Sequence, residues 1–230
     1  MTQEGSVDSD PFQGVLVATT EELESSWREA PRRWGHSMHK LAPYVGGFPP
    51  ALAHYFVSKY TNPGDTVLDP FCGGGTVPFE ALNLDRNAIG NDAFSYAYTL
   101  SHAKCDPLPE AEFDEALMGF IDRADSLSQS DIPAPDSDVE VFFHEDTLNQ
   151  LQRLKMVLSG EKTREALFIK ALVCGILHGP SEAFLSVQTK DTFSGTPNYV
   201  RKYIERNDLS PEPKDVEQKI RDKYDAVVED

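Results

Sequence analysis

The chain has 230 residues, enough for one domain with a sizeable core, and its charged and apolar fractions are ordinary for a folded protein. Its formal net charge of −17 at pH 7 argues against a free-standing nucleic-acid binder, because such domains are usually basic. Two explanations of this acidity stay open: a high-salt cytoplasm, in which an acidic surface keeps its hydration, or an acidic surface that faces a partner.

The three cysteines, Cys72, Cys105 and Cys174, are widely spaced and form no Cys-x-x-Cys pair. This spacing indicates neither a metal site nor a disulfide framework, and it predicts reduced thiols in a cytoplasmic protein. The N-terminus lacks the basic-then-apolar pattern of a secretory signal. The longest apolar run, 166–177, contains Lys170 and is too short to span a bilayer, so we expect no membrane association.

Residues 1–33 are predicted to form an acidic tail and a helix that begins near Thr19. The stretch 31–60 contains no Asp or Glu, whereas 106–146 contains Arg123 as its only Lys or Arg. If DNA approaches the chain, we expect it at the acid-free stretch, since basic side chains make the phosphate contacts. The substrate candidates there are Arg32, Arg33, His39 and Lys40. After a loop rich in Gly, Pro and aromatic residues, a helix is predicted from Pro49 or Pro50 to Lys59.

A predicted strand, glycine turn and helix at 66–83 organise the rest of the chain. The β-branched and apolar residues of 66–71 follow the turn signal Asn-Pro-Gly-Asp at 62–65. Three glycines come next and let a ligand approach the backbone. Thr76 is predicted to cap a helix that ends near Asn83. There is no lysine for a phosphate loop and no third glycine for a dinucleotide turn, but a helix N-terminus here predicts a nucleotide-like ligand.

A second short strand is predicted at 87–91, and Asp92 follows it, 23 positions after Asp69. A carboxylate at the carboxyl end of the second strand can accept hydrogen bonds from both ribose hydroxyls of a nucleotide. The alternative is that Asp92 caps the next helix, which is predicted at 94–103. Phe94 is expected to lie against an adenine ring.

The stretch 69–76, Asp-Pro-Phe-Cys-Gly-Gly-Gly-Thr, resembles the Asp-Pro-Phe-x-Gly-x-Gly-Thr signature of S-adenosylmethionine-dependent DNA amino-methyltransferases, which modify adenine N6 or cytosine N4. The resemblance implies a Rossmann-like methyltransferase fold, S-adenosylmethionine as cofactor and DNA as partner, as in restriction-modification systems. It also implies that 40–60 helps to hold the methionine end of the cofactor, although a surface loop with a packing helix is the alternative. The expected cofactor-binding residues are Asp69, Pro70, Phe71, Gly73, Gly75, Thr76, Asp92 and Phe94.

The second half of the chain is predicted to be mainly helical. One further strand is predicted at 139–143, as the third strand of a parallel sheet. Asp146 or Thr147 is predicted to cap the next helix, with contact between Asp146 and the adenine amino group as the alternative. The predicted helices are 110–127, 148–158, 163–178, a helix capped by Thr196, and 213–228.

Enzymes of this family also carry an Asp/Asn/Ser-Pro-Pro-aromatic motif, which binds the target amino group and stacks on the flipped base. The one Pro-Pro pair of the chain, at 49–50, has Phe48 before it and Ala51 after it, so the catalytic residues stay unassigned. With three predicted strands, we expect an α/β protein with an incomplete parallel sheet and helices on both faces. The expected divisions are the N-terminal segment 1–33, a cofactor-binding domain 34–150 and a helical region 151–230.

The favoured hypothesis is therefore a DNA amino-methyltransferase in truncated or split form, the latter completed by a second polypeptide. Two alternatives stay open. One is a non-catalytic subunit that binds the cofactor and regulates a complete enzyme, which the missing motif and the acidic charge favour for the isolated chain. The other is an RNA methyltransferase, because some of these carry a similar glycine turn.

Overall fold

The computed structural model describes residues 35–189 and 196–228. This part contains strands β1 (Thr66–Asp69) and β2 (Asn87–Gly90) and the 3₁₀ turns Ser37–Lys40 and Gln129–Asp131. Its α-helices are α1 (Pro50–Tyr60), α2 (Thr76–Asn83), α3 (Ser95–Cys105), α4 (Glu110–Asp125), α5 (Ser137–Glu140), α6 (Glu145–Leu158), α7 (Arg164–Ile176), α8 (Pro197–Asn207) and α9 (Val216–Val228). The tail and helix predicted in 1–33, with Arg32 and Arg33, lie outside the described residues.

The two strands run parallel and are joined by α2, so they form a β-α-β unit in which Leu68 lies opposite Ile89. Helix α2 covers one face of this sheet, since a Cβ added to Gly90 would lie 3.2 Å from Cγ of Pro78. On the other face Leu68 and Ile89 are 63% and 54% exposed, and no helix in the described residues covers them. The chain is α/β as expected, but the prediction of helices on both faces is wrong for this part of it.

The strand predicted at 139–143 is also wrong. Its first two residues are the end of the short helix α5, which starts where the carboxylate of Asp136 accepts a hydrogen bond from the N–H of Asp138 at 2.8 Å. The chain then turns again, and the N–H of Phe142 donates to the carbonyl of Val139 at 3.1 Å. Within the described residues the sheet therefore has two strands.

The hydrophobic core lies among helices α3, α4, α6, α7 and α9 and not on the sheet. Phe168 and Leu172 of α7 are fully buried at its centre. Phe113 of α4 stacks on Tyr224 of α9 with 3.9 Å between the ring centroids. Burial of these large side chains drives the folding of the helical part. The domain boundary predicted after residue 150 falls inside α6, which packs against both α4 and α9.

Helix α6 begins earlier than predicted and has a different cap. His144 precedes it, and Nδ1 of His144 accepts a hydrogen bond from the N–H of Asp146 at 3.2 Å. Thr147 is fully buried, and its hydroxyl donates to the carbonyl of Lys214 at 3.0 Å and accepts from the N–H of Lys214 at 2.7 Å. The prediction that Asp146 or Thr147 caps this helix is wrong, because Thr147 instead holds the segment before α9. Thr196 does cap α8, as predicted.

A buried carboxylate fastens the segment before β1 to helix α2. Glu80 is 2% exposed, and its Oε1 and Oε2 lie 2.6 Å from Nε2 of His39 and 2.8 Å from Nδ1 of His54. Burial opposes the charge of Glu80, but the two histidine contacts outweigh it and hold the pKa of Glu80 below its usual range. Burial also lowers the pKa of His39. A neutral His39 therefore donates its Nε2 proton to the carboxylate.

Replacing Glu80 by Gln should destabilise the fold by about 1–3 kcal/mol, because one buried hydrogen bond to a histidine loses its acceptor. Urea unfolding at pH 7 measures this loss. The control is Glu115→Gln, which removes the same charge from an exposed position of α4 and should change the free energy of unfolding by less than about 0.5 kcal/mol. Equal stabilities of the two variants would show that the Glu80 cluster contributes nothing.

Candidate functional site

The glycine turn continues directly from β1 at the carboxyl edge of the sheet. The strand ladder extends past the strand ends, because the N–H of Asn91 donates to Asp69 and the N–H of Cys72 donates to Asn91, each at 2.9 Å. Gly75 follows with a φ of +75° and is the cap residue of α2. Thr76 is the first residue of the helix, so the prediction that its side chain caps α2 is wrong. The left-handed conformation at Gly75 favours glycine.

Helix α3 packs directly on the glycine turn. A Cβ added to Gly75 would lie 2.6 Å from Cα of Ser101, so no larger residue fits between the two backbones. The hydroxyl of Ser101 donates a hydrogen bond to the carbonyl of Gly73 at 2.8 Å and lies 3.3 Å from Sγ of Cys72. Ser101 thus fixes the conformation of the turn from the side on which helix α3 packs.

Tyr44 covers the other side of the turn. A Cβ added to Gly73 would lie 2.8 Å from Cε1 of Tyr44, and one added to Gly74 would lie 3.2 Å from its Cβ. Tyr44 stacks on Tyr96 of α3 with 6.0 Å between the centroids, and the hydroxyl of Tyr96 donates to the carbonyl of Pro43 at 2.7 Å. The missing side chains of these glycines are therefore required by the packing of the protein itself, whatever the ligand.

Asp92 joins the end of β2 to the glycine turn. Its Oδ2 accepts a hydrogen bond from the N–H of Gly73 at 2.9 Å, and its Oδ1 accepts one from the N–H of Phe94 at 3.0 Å. Hydrogen bonds from the N–H groups of Phe94 and Gly73 lower the pKa of Asp92. Helix α3 begins one residue after Phe94 without a side-chain cap, so Asp92 closes the turn that precedes the helix.

Two aromatic side chains are exposed to solvent at this edge of the sheet. Phe71, next to the glycine turn, is 87% exposed, and Phe94, beyond the end of β2, is 71% exposed. Two hydrogen bonds hold the backbone just after β1. The carboxylate of Asp69 accepts one from the N–H of Phe71 at 3.1 Å, and the side-chain amide of Asn91 donates one to the carbonyl of Pro70 at 3.1 Å. The structure thus brings the predicted cofactor-binding residues together at one edge.

The predicted DNA-contact residues are not grouped in this way. The side chain of His39 is 6% exposed and bound to Glu80, so it is not presented at the surface. Lys40 is exposed, and its carbonyl accepts a hydrogen bond from Nζ of Lys223 at 2.6 Å. Arg32 and Arg33 lie outside the described residues.

The cysteines and the acidic residues form no metal centre in 35–189 and 196–228, where no group of three or more His, Cys, Asp or Glu side chains could hold a metal ion. All three cysteines are free thiols. None of the helices in these residues has the length and hydropathy that a membrane-spanning segment needs.

Sequence reasoning missed Tyr44, Tyr96 and Ser101, which shape the turn. Tyr44 lies in a loop whose aromatic content was visible, but nothing local indicates that it packs on glycines about thirty positions later. Ser101 is an unremarkable polar residue of a helix. Its role follows from the backbone contact at Gly75, which only the folded chain contains.

The sequence model of a family described as DNA methylase matches residues 4–102. The type II methyltransferase M.MjaII of Methanocaldococcus jannaschii is 27% identical over 93 residues, which are 40% of this chain and 18% of that protein. The type II methyltransferase M.MjaI of the same organism is 32% identical over 85 residues, which are 35% of this chain and 27% of that protein. The matches thus span about a fifth to a quarter of these curated relatives. No solved structure matches the chain.

Replacing Gly75 by Ala should destabilise the protein by about 1–3 kcal/mol more than replacing Gly160, because the new Cβ would overlap Ser101. Gly160→Ala is a matched control, since its φ of +78° is nearly that of Gly75 and its added Cβ meets no atom within 4 Å. Both variants lose the left-handed preference of glycine, so the difference isolates the close approach of α3. Urea unfolding measures both, and equal losses would contradict the steric argument.

Proposed function

We propose, because the sequence model of the DNA methylase family matches residues 4–102, that the chain binds S-adenosylmethionine at the glycine turn and serves the methylation of an exocyclic amino group of DNA. One observation carries the proposal: the glycine turn, the Asp92 carboxylate and the exposed ring of Phe94 meet at one edge of a parallel sheet. Open α/β sheets bind nucleotide-like ligands outside the carboxyl ends of their strands.

The described residues fit this cofactor. Each carboxylate oxygen of Asp92 accepts one backbone N–H, and each keeps acceptor capacity for a ribose hydroxyl. The ring of Phe94 is exposed next to this carboxylate and offers an apolar face to the adenine. Asp69 uses one carboxylate oxygen for the N–H of Phe71, so the other is available to the methionine amino group. When bound, the cofactor supplies an electrophilic methyl group on its sulfonium.

The contribution of this chain to the chemistry is positioning. Tyr44 and Ser101 hold the glycine turn from opposite sides, and the Glu80 cluster holds the segment that carries Tyr44. A turn that is rigid before the ligand arrives loses little conformational freedom on binding. The same rigidity keeps the donor oriented toward its acceptor, which is the main protein contribution to a direct displacement.

The methyl acceptor we propose is the amino group of adenine N6 or cytosine N4. Its activation needs groups that accept a hydrogen bond from the nitrogen, and the 230 residues contain no Asp/Asn/Ser-Pro-Pro-aromatic motif to supply them. Among the described residues the sheet has two strands, and Leu68 and Ile89 are exposed on one of its faces, which supports the proposal that residues beyond the described ones complete the sheet and the reaction. The comparisons give no support for a separate second polypeptide, and we propose none.

A second candidate function is a non-catalytic subunit that binds S-adenosylmethionine and regulates a complete methyltransferase. The same missing motif favours it, because cofactor binding needs only the residues at the sheet edge. The two candidates share the cofactor site and differ in methyl transfer, so binding and transfer must be measured separately.

Replacing Asp92 by Asn should weaken S-adenosylmethionine binding at least tenfold, a loss of about 1.4 kcal/mol, because the ribose loses a charged acceptor. Calorimetric titration of the full chain measures the affinity. Asp136→Asn is the matched control, since that carboxylate also accepts a backbone N–H but caps the separate helix α5. An unchanged affinity in the Asp92 variant would remove this residue from the cofactor site.

The purified 230-residue chain should transfer no labelled methyl group from S-adenosylmethionine to duplex DNA, although it binds the cofactor. The physical reason is that nothing in the sequence matches the motif that makes the amino nitrogen nucleophilic. Scintillation counting of recovered DNA measures incorporation. Incorporation above the level of heat-denatured protein would show that the chain contains a catalytic group of another kind.

A further inference from the structure

Helix α8 packs on the rest of the protein through one narrow side. Val200 is its fully buried residue, and Tyr203 and Ile204, on the same side, are half-buried. Arg201 fixes the helix in place by donating to the carbonyl of Ser137 at 3.0 Å and to Oδ1 of Asp138 at 2.7 Å. The opposite side of α8 is therefore held outward in a defined orientation.

That outward side carries a basic stripe, which we define as Lys202 and Arg206. These residues are spaced i and i+4, so they lie above one another on one face of the helix. Both are exposed. Glu205, the only acidic residue of α8, lies three positions after Lys202 and forms no ion pair with it among the described residues.

Arg206 is exceptional among the arginines of the described residues. Every other one forms a hydrogen bond or ion pair within the protein, and Arg206 forms none in this part of the chain. The six that do are Arg86, Arg123, Arg153, Arg164, Arg201 and Arg221. Lys202 likewise forms no ion pair among the described residues. The stripe therefore carries two exposed positive charges, one helical turn apart, that no ion pair neutralises within the described residues.

We propose that the basic stripe of α8 binds the phosphodiester backbone of duplex DNA. The proposal rests on the proposed function, which makes DNA the partner of this chain. Lys and Arg side chains neutralise phosphates and hold a duplex through its backbone. The strongly acidic chain repels DNA in general, so a small basic surface would confine contact to one orientation.

Such contacts position the duplex without reading its sequence. The stripe would therefore set the register of the DNA on the protein, and recognition of bases would come from other groups. Binding through the stripe should depend strongly on salt and weakly on sequence.

The test compares two double variants of the full chain, Lys202→Gln/Arg206→Gln and the control Lys155→Gln/Lys162→Gln. Lys155 and Lys162 are exposed and form no ion pair among the described residues, so both variants change the net charge by the same amount. Fluorescence anisotropy with a labelled 30-base-pair duplex gives Kd at several salt concentrations. We expect the stripe variant to bind at least tenfold more weakly at low salt and to lose about 1.8 from the slope of log Kd against log salt, about 0.9 for each phosphate contact. The control should match the wild type.

Equal effects of the two double variants, or no binding of duplex by the wild type, would overturn the proposal. Stronger competition by single-stranded RNA than by unlabelled duplex would overturn the choice of DNA. Calorimetric titration of the same proteins with S-adenosylmethionine separates the two levels of inference. Loss of DNA binding with unchanged cofactor binding supports the stripe, whereas absence of cofactor binding in the wild type contradicts the proposed function and leaves the anisotropy result to decide on the stripe.

Discussion

The contact between Gly75 and Ser101 is the constraint on which the arrangement of this protein depends. It brings the backbone of α3 against the glycine turn so closely that a single added carbon would overlap it. The same helix buries Ala97, Leu100 and Ala103 in the helical core. Helix α3 therefore connects a small sheet, which supplies the ligand-binding edge, to the bundle of helices that supplies the stability. The position of the site is fixed by the core even though the sheet is not its centre.

Much of the sheet edge could be predicted because its signals are local. These signals are the turn at 62–65, the glycine turn that follows β1 and the position of Asp92 after β2. Each of them depends on residues that are close together in the sequence. The third strand failed for the same kind of reason: Asp136 caps a short helix, and this local hydrogen bond prevails over the β-forming side chains that follow it. The cap at His144 was missed because histidine is an uncommon cap residue.

Features that depend on distant residues could not be predicted. His39 was expected to face DNA, but Glu80, 41 positions later, draws it into the interior. Tyr44 was part of an expected ligand loop, and its packing on the glycines follows only from the path of the folded chain. The ion pairs of two arginines also depend on residues that are distant in the sequence. Arg164 and Arg221 form ion pairs with acidic residues of α4 at partly exposed sites.

The face of the sheet on which Leu68 lies opposite Ile89 is exposed within the described residues, and this affects how molecules of the protein behave toward one another. Its apolar surface favours association between copies, whereas the net charge of −17 keeps them apart through electrostatic repulsion. The two forces differ in range, because added salt shortens the reach of the repulsion to about 8 Å at physiological ionic strength and leaves the apolar attraction intact. Higher ionic strength therefore favours association through this apolar face, and lower ionic strength opposes it.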